Sequence, residues 1–353
     1  TQIDVKTAKA ALFPSLSFST SQQVVNRPYQ ETSSRVSGSE IISSNSKTSY
    51  NGNYGLNASW TIYNGSKRLK TLKQERLNNQ VAELDVATSE NTIKESIAQI
   101  YIQILYAAES VRVNENTLQV SIAQRDRGQE LLNAGSIAKS DFAQLEAQVS
   151  TDRYQLVTAQ ATLQDYKLQL KQLLELDGEN EMNVYLPNLS DENVLAPLPA
   201  KKDVYVSALA IRPEIEASKL NVEASELGID IAKSSYFPTI SLSAGIGTNH
   251  TSGSDFTFGE QVKNGWNNSI GLSVSVPIFN NRQTKSAVQK AKLQRETNML
   301  SLLDEQKALY KTIESLWLDA NSAQQRYAAA NEKLRSTQIS YDLISEQFNL
   351  GMK

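Results

Sequence analysis

The sequence predicts a mixed α and β fold: long antiparallel coiled-coil helices, plus four amphipathic strands that contribute to a transmembrane β-barrel shared by three copies of the chain. All of it is built on a two-fold internal repeat. Three observations carry this prediction. Blocks of the first half recur in the second, four segments alternate strictly between apolar and polar residues, and unbroken heptads run between and after those segments.

The repeat sets the frame. Ala8-Lys9-Ala10-Ala11-Leu12-Phe13-Pro14-Ser15-Leu16-Ser17 recurs as Ala232-Lys233-Ser234-Ser235-Tyr236-Phe237-Pro238-Thr239-Ile240-Ser241, 224 positions later. Gly55-Leu56-Asn57-Ala58-Ser59-Trp60-Thr61-Ile62-Tyr63-Asn64 matches Gly271-Leu272-Ser273-Val274-Ser275-Val276-Pro277-Ile278-Phe279-Asn280 at an offset of 216, which also pairs Asn133 and Gly135 with Asn349 and Gly351. The smaller offset places a shorter loop in the second copy. Such a unit is too long for a solenoid and points to a duplicated, fused half. The first copy is predicted over 1–176, with strands at about 14–22 and 53–63 and helices at about 66–133 and 136–175. A link follows at 177–200. The second copy, truncated, covers 201–353, with a helix at about 201–235, strands at about 238–247 and 269–279, and a helix at about 282–349.

In the strands, Leu16 and Phe18 alternate with serines, and Tyr54, Leu56, Ala58, Trp60 and Ile62 alternate with Asn, Gly, Ser and Thr. Ile240, Leu242, Ala244 and Ile246 repeat the pattern, as do Ile270, Leu272, Val274, Val276 and Ile278. Period-two patterning of this length marks barrel strands, apolar outward and polar inward. The lipid-facing set is then Leu56, Trp60, Leu242, Leu272, Val274 and Val276. Soluble sandwiches also alternate. The polar face here is small and hydroxylated rather than charged, and only four such strands occur in 353 residues, which favours the barrel. Four strands cannot close, and open edges are not tolerated in lipid. Two copies would give a barrel filled by side chains; three leave room for a lumen.

The long segments read as helices. No proline occurs from Tyr29 to Leu186 or after Pro277, and no glycine from Ser66 to Arg127 or from Leu272 to Leu350. Phe142, Leu145, Val149, Asp152, Leu156, Ala159, Leu163, Tyr166, Leu170 and Leu173 form one heptad stripe. Leu309, Ile313, Leu316, Ala320, Ala323, Tyr327, Ala330, Leu334, Thr337, Tyr341, Ile344 and Phe348 form another. Sustained heptads mean coiled-coil packing. A helix over 66–133 would be roughly 100 Å long at 1.5 Å per residue. Ala134-Gly135-Ser136 supplies a reversal, with Gly135 left-handed and Ser136 the N-cap of the returning helix, five residues before Asp141.

The polar stretches 21–52 and 248–267 are predicted hairpin loops. Every helix then leaves from one rim, where Phe13, Tyr63, Tyr236, Phe237 and Phe279 fall. These aromatics fit a membrane-interface girdle; ordinary helix–sheet packing accounts for them equally well.

Composition removes most chemistry. There is no cysteine, so thiol nucleophiles and cysteine metal sites are excluded, and a lone histidine, His250, rules out a paired-histidine site or a Ser-His-Asp triad. A net charge of −3 argues against nucleic acid as a partner. No apolar run is long enough for a spanning helix. Gly245-Ile246-Gly247 lies in a strand with no helix after it, so it is no phosphate loop. The Ser-x-x-Lys matches at Ser44 and Ser136 lack a completing Lys-Thr-Gly. No catalytic, cofactor or metal residue is assigned.

Ala208-Leu209-Ala210-Ile211-Arg212-Pro213-Glu214, then Ala232-Lys233 and Phe237-Pro238-Thr239-Ile240-Ser241-Leu242, resemble the outer-membrane efflux protein family, the TolC-like exit ducts. So do Val276-Pro277-Ile278-Phe279-Asn280 and Gly135 with Asp141. The first copy departs by having Thr61 where the second has Pro277. The resemblance implies a homotrimer in the outer membrane whose shared twelve-stranded barrel continues into a periplasmic helical tunnel. It also implies partnership with a periplasmic adaptor protein, an inner-membrane pump and the lipid bilayer. The gate would lie at the periplasmic tip, at Gly135, Ser136, Lys139 and Asp141 with Gly351 and Lys353. Against that plan the chain reads as a fragment, lacking a helix before residue 1 and a return helix after Lys353. A soluble coiled-coil scaffold or adhesin stalk is the alternative.

Overall fold

The computed structural model describes residues 1–29, 33–37, 40–44, 47–176, 183–185, 194–254 and 256–350. Along the chain run α1 (Gln2–Ala10), β1 (Ser15–Asn26), β2 (Ser33–Ser37), β3 (Glu40–Ser44), β4 (Thr48–Asn64), α2 (Lys67–Asn133) and α3 (Lys139–Leu173). Then come α4 (Lys201–Ile211), α5 (Pro213–Ser234), β5 (Thr239–Thr251), α6 (Phe258–Asn264), β6 (Asn267–Ser275) and α7 (Gln283–Asn349). Both long helices have 67 residues.

Alternation builds the main sheet, an antiparallel set in the order β1-β4-β5-β6. The hairpin of each copy is thus joined to the other through β4 and β5. β2 and β3 form a small hairpin of their own inside the predicted loop 21–52, and β1 and β4 run further into that loop than expected. α6 likewise occupies part of the predicted loop 248–267. Thr257 caps it, and Glu260 accepts hydrogen bonds from the Thr257 backbone N–H and hydroxyl, both 2.8 Å. Those bonds hold the Glu260 carboxyl below its ordinary range.

Two further boundaries differ from expectation, each for a local reason. The predicted helix 201–235 is two helices, because the residue before a proline is driven out of the helical region. Arg212 is extended at ψ 121°, and Pro213 starts α5. β6 ends at Ser275, so Val276 lies beyond the strand; Pro277 lacks an N–H and restricts Val276 ahead of it. α1, not assigned from sequence, takes the place in the first copy that the end of α5 takes in the second.

The chain divides into two compact units, Thr1–Asp85 with Lys202–Ile313, and Val86–Lys201 with Glu314–Lys353. In the first, Ile215, Leu309 and Ile313 are buried, flanked by Val204, Ala208 and Leu302, and the Tyr205 and Tyr310 rings meet edge to face at 5.4 Å. In the second, Ile104 and Ala107 of α2 are buried, and every member of the α3 stripe from Phe142 to Leu173 is buried or half-buried. Asp152, the polar exception, is 4% exposed and accepts a hydrogen bond from Gln148 Nε2 at 2.9 Å. Part of the predicted link is strapped to α7 in this unit. Gln324 Nε2 donates to the Val194 and Ala196 carbonyls (2.9 and 2.7 Å), and Trp317 Nε1 donates to Pro199 O at 3.1 Å. Lys201 pairs with Glu314 at 2.6 Å and lies 4.7 Å from the centre of the Trp317 ring.

Candidate channel wall, rim and helical tip

The two faces of the main sheet differ in kind. Cross-strand register aligns Ser59 with Ser243 and Ser241 with Ser273 on one face, and Leu56 with Ile246, Trp60 with Leu242, and Leu242 with Leu272 on the other. The polar face is knitted by neutral hydrogen bonds. The Ser15 and Ser59 hydroxyls meet at 2.8 Å, and the side-chain amides of Asn53 and Asn57 donate to Ser21 and Ser19 at 3.3 Å. None of β1, β4, β5 and β6 carries an Asp, Glu, Lys or Arg. The apolar face is open. Ile270 is 83% exposed and Leu16 70%, with Leu56, Trp60, Leu272 and Val274 exposed beside them and Leu242 half-buried. A single chain seldom leaves so much contiguous apolar surface to water. Val276 is exposed too, just past the strand.

Where strands meet helices, each copy spends two consecutive residues in the left-handed region: Gly65 and Ser66 (φ 65° and 63°), then Asn281 and Arg282 (φ 49° and 64°). Two such residues reverse the chain sharply. Gly65 is required on a second count. An added Cβ would lie 2.7 Å from the Ser234 carbonyl oxygen, and the Ser234 hydroxyl donates to Gly65 O at 2.9 Å. The rim is tied further by Leu12 O, which accepts from Trp60 Nε1 (2.8 Å) and Arg68 Nη2 (2.6 Å). Phe13, Tyr63, Phe237 and Phe279 lie at this rim, with Phe13 and Phe279 the most exposed of the four and Phe237 set against Gly65.

At the other end of α2 the reversal is a Schellman turn. Gly135 has φ 72°, its N–H donates to Leu132 O at 2.9 Å, and Ser136 N–H donates to Leu131 O at 2.8 Å. Ser136 therefore finishes α2 and is not the cap of α3. That cap is Ala138, in extended conformation, and Asp141 is the third residue of α3, not the fifth after a Ser136 cap. The Asp141 carboxylate accepts from the Ala138 N–H at 3.4 Å and the Ser140 hydroxyl at 3.3 Å. Among the described residues no cation stands within ion-pair distance of Asp141, and Lys139, the first residue of α3, is exposed. Gly351 and Lys353 lie outside the described residues. Sequence reasoning missed the groove beside this turn, about 510 Å³ and lined by Arg127, Asp141, Gln144 and Gln148 among others. Its polar side chains come from two helices and meet only because the turn folds them together.

Comparison with known proteins agrees with this geometry. The chain is 25% identical over 266 residues to the outer membrane efflux protein BepC of Brucella suis, an alignment covering 75% of this chain and 55% of BepC. It is 24% identical over 312 residues to the outer membrane protein TolC of Escherichia coli, covering 84% and 61%. The chain thus spans little more than half the length of these relatives. Among solved structures, the outer membrane protein VceC of Vibrio cholerae matches 99% of this chain and 79% of its own, at 16% identity and a TM-score of 0.77. The Campylobacter jejuni CmeC outer membrane channel matches 100% and 72%, at 16% identity and a TM-score of 0.75. These likenesses show a shared fold. The family model for outer membrane efflux proteins matches residues 1–175 and 204–353, and the chain belongs to that family.

Proposed function

We propose that this chain forms the outer-membrane exit duct of a tripartite efflux or type I secretion system. It acts as a passive trimeric channel whose strands sit in the outer membrane and whose helices stand in the periplasm. The observation that carries this reading is the sheet itself, an uncharged hydroxyl and amide face backed by an exposed apolar one. In lipid the apolar face is satisfied, and the neutral polar face lines a path that holds no solute by charge. Three copies supply twelve strands and a lumen. Transport needs no catalytic residue here; energy comes from an inner-membrane pump, reached through a periplasmic adaptor. The turn at 135–141 is the closure and adaptor-docking point, with Gly135, Ser136, Lys139 and Asp141 as its exposed residues, joined by Gly351 and Lys353 of the second copy. Phe13, Tyr63, Phe237 and Phe279 form the periplasmic aromatic girdle. A soluble scaffold or stalk would have to hide Leu16, Ile270 and Leu272 elsewhere.

Planar-bilayer recording tests the proposal. The purified protein is expected to give discrete conductance steps, and Asp141→Ala to raise their size by loosening the tip. A protein that stays monodisperse in buffer without detergent and forms no channels would contradict the proposal. Unchanged conductance and export in the Asp141 variant would leave that residue as the acceptor for the Ala138 N–H at the start of α3 and nothing more.

A further inference from the structure

We infer that α6 and Trp266 form a membrane collar, seated among lipid headgroups on the outward face of the sheet at its loop end. This rests on assigning the apolar face to lipid, and it adds a second anchoring site at the end of the strands remote from the helices.

The register decides which face α6 covers. Same-face pairs run along β4 and β5 from Trp60 and Leu242 through Leu56 and Ile246 to Tyr54 and Thr248, then Gly52 and His250. α6 is fastened to the last two of these. The Thr248 hydroxyl donates to Val262 O at 2.7 Å, and the Phe258 ring meets the His250 ring edge-on at 5.1 Å and the Tyr54 ring at 6.5 Å. His250 also stacks on Tyr54 at 5.9 Å and lies over Gly52, where an added Cβ would fall 2.2 Å from the imidazole. Side chains at these positions alternate onto the apolar face, so α6 sits on the outside of the wall and leaves the polar face clear. Trp266 continues the same alternation, two residues before Asn268, the partner of Ile246.

Lipid suits this surface better than a second copy of the chain. β4 and β5 are interior strands, flanked by β1 and β6, so a neighbour adding at a free edge does not reach them. Phe258 and Trp266 are each more than half exposed, beside the polar Glu260, Lys263 and Asn264. Aromatic rings edged by polar groups favour the headgroup layer, and barrels carry such rings at both interfaces.

The chain has three tryptophans, Trp60, Trp266 and Trp317, which makes the test direct. Each is kept alone by Trp→Phe replacement of the other two, and the full chain is reconstituted in phosphatidylcholine vesicles brominated either near the headgroup or at the chain end. Arg68 still holds the Leu12 carbonyl when Trp60 is replaced. Trp266 is expected to lose more fluorescence to the headgroup-proximal bromines than to the chain-end ones, Trp60 to be quenched, and Trp317 to be spared. Quenching of Trp60 without Trp266 would overturn the collar alone. An unquenched Trp60 would overturn the lipid assignment of the whole face.

Discussion

At the strand-to-helix junction the first copy uses Gly65 and Ser66 and the second uses Asn281 and Arg282, yet all four residues hold φ between 49° and 65°. Further along, similar stripes meet different fates. The α3 stripe is buried or half-buried throughout, whereas Leu334, Tyr341, Ile344 and Phe348 of α7 stand exposed among the described residues. The contrast separates two kinds of determinant. A reversal is imposed locally, holding even Ser66 and Arg282 left-handed where only Gly and Asn take that region readily. A stripe is only an offer of surface, and its burial depends on what lies against it.

The sharpest way to break this comparison is to truncate one residue from each stripe. Leu170→Ala, at a buried position of the α3 stripe, should cost about 2–5 kcal/mol. Leu334→Ala should stay within about 0.5 kcal/mol in the single chain, as surface changes do. Denaturant unfolding in detergent measures both, and equal losses would mean the α7 stripe is already covered. The next largest effect concerns the faces of β6. Leu272→Arg or Val274→Arg should cost roughly 2–4 kcal/mol near the bilayer midplane, while Ser273→Arg and Ser275→Arg should be tolerated and alter conductance. The smallest effect is at the junctions. Gly65→Ala meets both the positive φ and the Ser234 carbonyl and should cost more than about 1 kcal/mol. Asn281→Gly should be near neutral, since the left-handed region suits both residues. Similar costs at the two sites would show that the copies do not share one junction geometry.

How much of this was legible in the sequence depended on whether a feature repeats. Alternation at Leu272 to Ser275 identified the two faces, because a two-residue period admits only one geometry. The α3 stripe could be read residue by residue for the same reason. Features made once were harder. Seven residues are too few for α6 to show a helical period, although Thr257 and Glu260 form a capping-box pattern that sequence does display. Ser136 was a reasonable cap by residue type, but its N–H is already committed to Leu131 O and the cap passes to Ala138. Arg127 and Gln144 share a groove only through the turn between their helices, and nothing in local spacing records that meeting.

The central claim is that one face of the sheet meets water in a lumen and the other meets lipid. Because the chain has no cysteine, single cysteines can be placed at Ser273 and Leu272 and challenged with a charged, water-soluble thiol reagent during single-channel recording. The expected result is a stepwise fall in conductance for Ser273→Cys and none for Leu272→Cys. Equal reaction at the two adjacent positions, or blockade through Leu272→Cys alone, would contradict it.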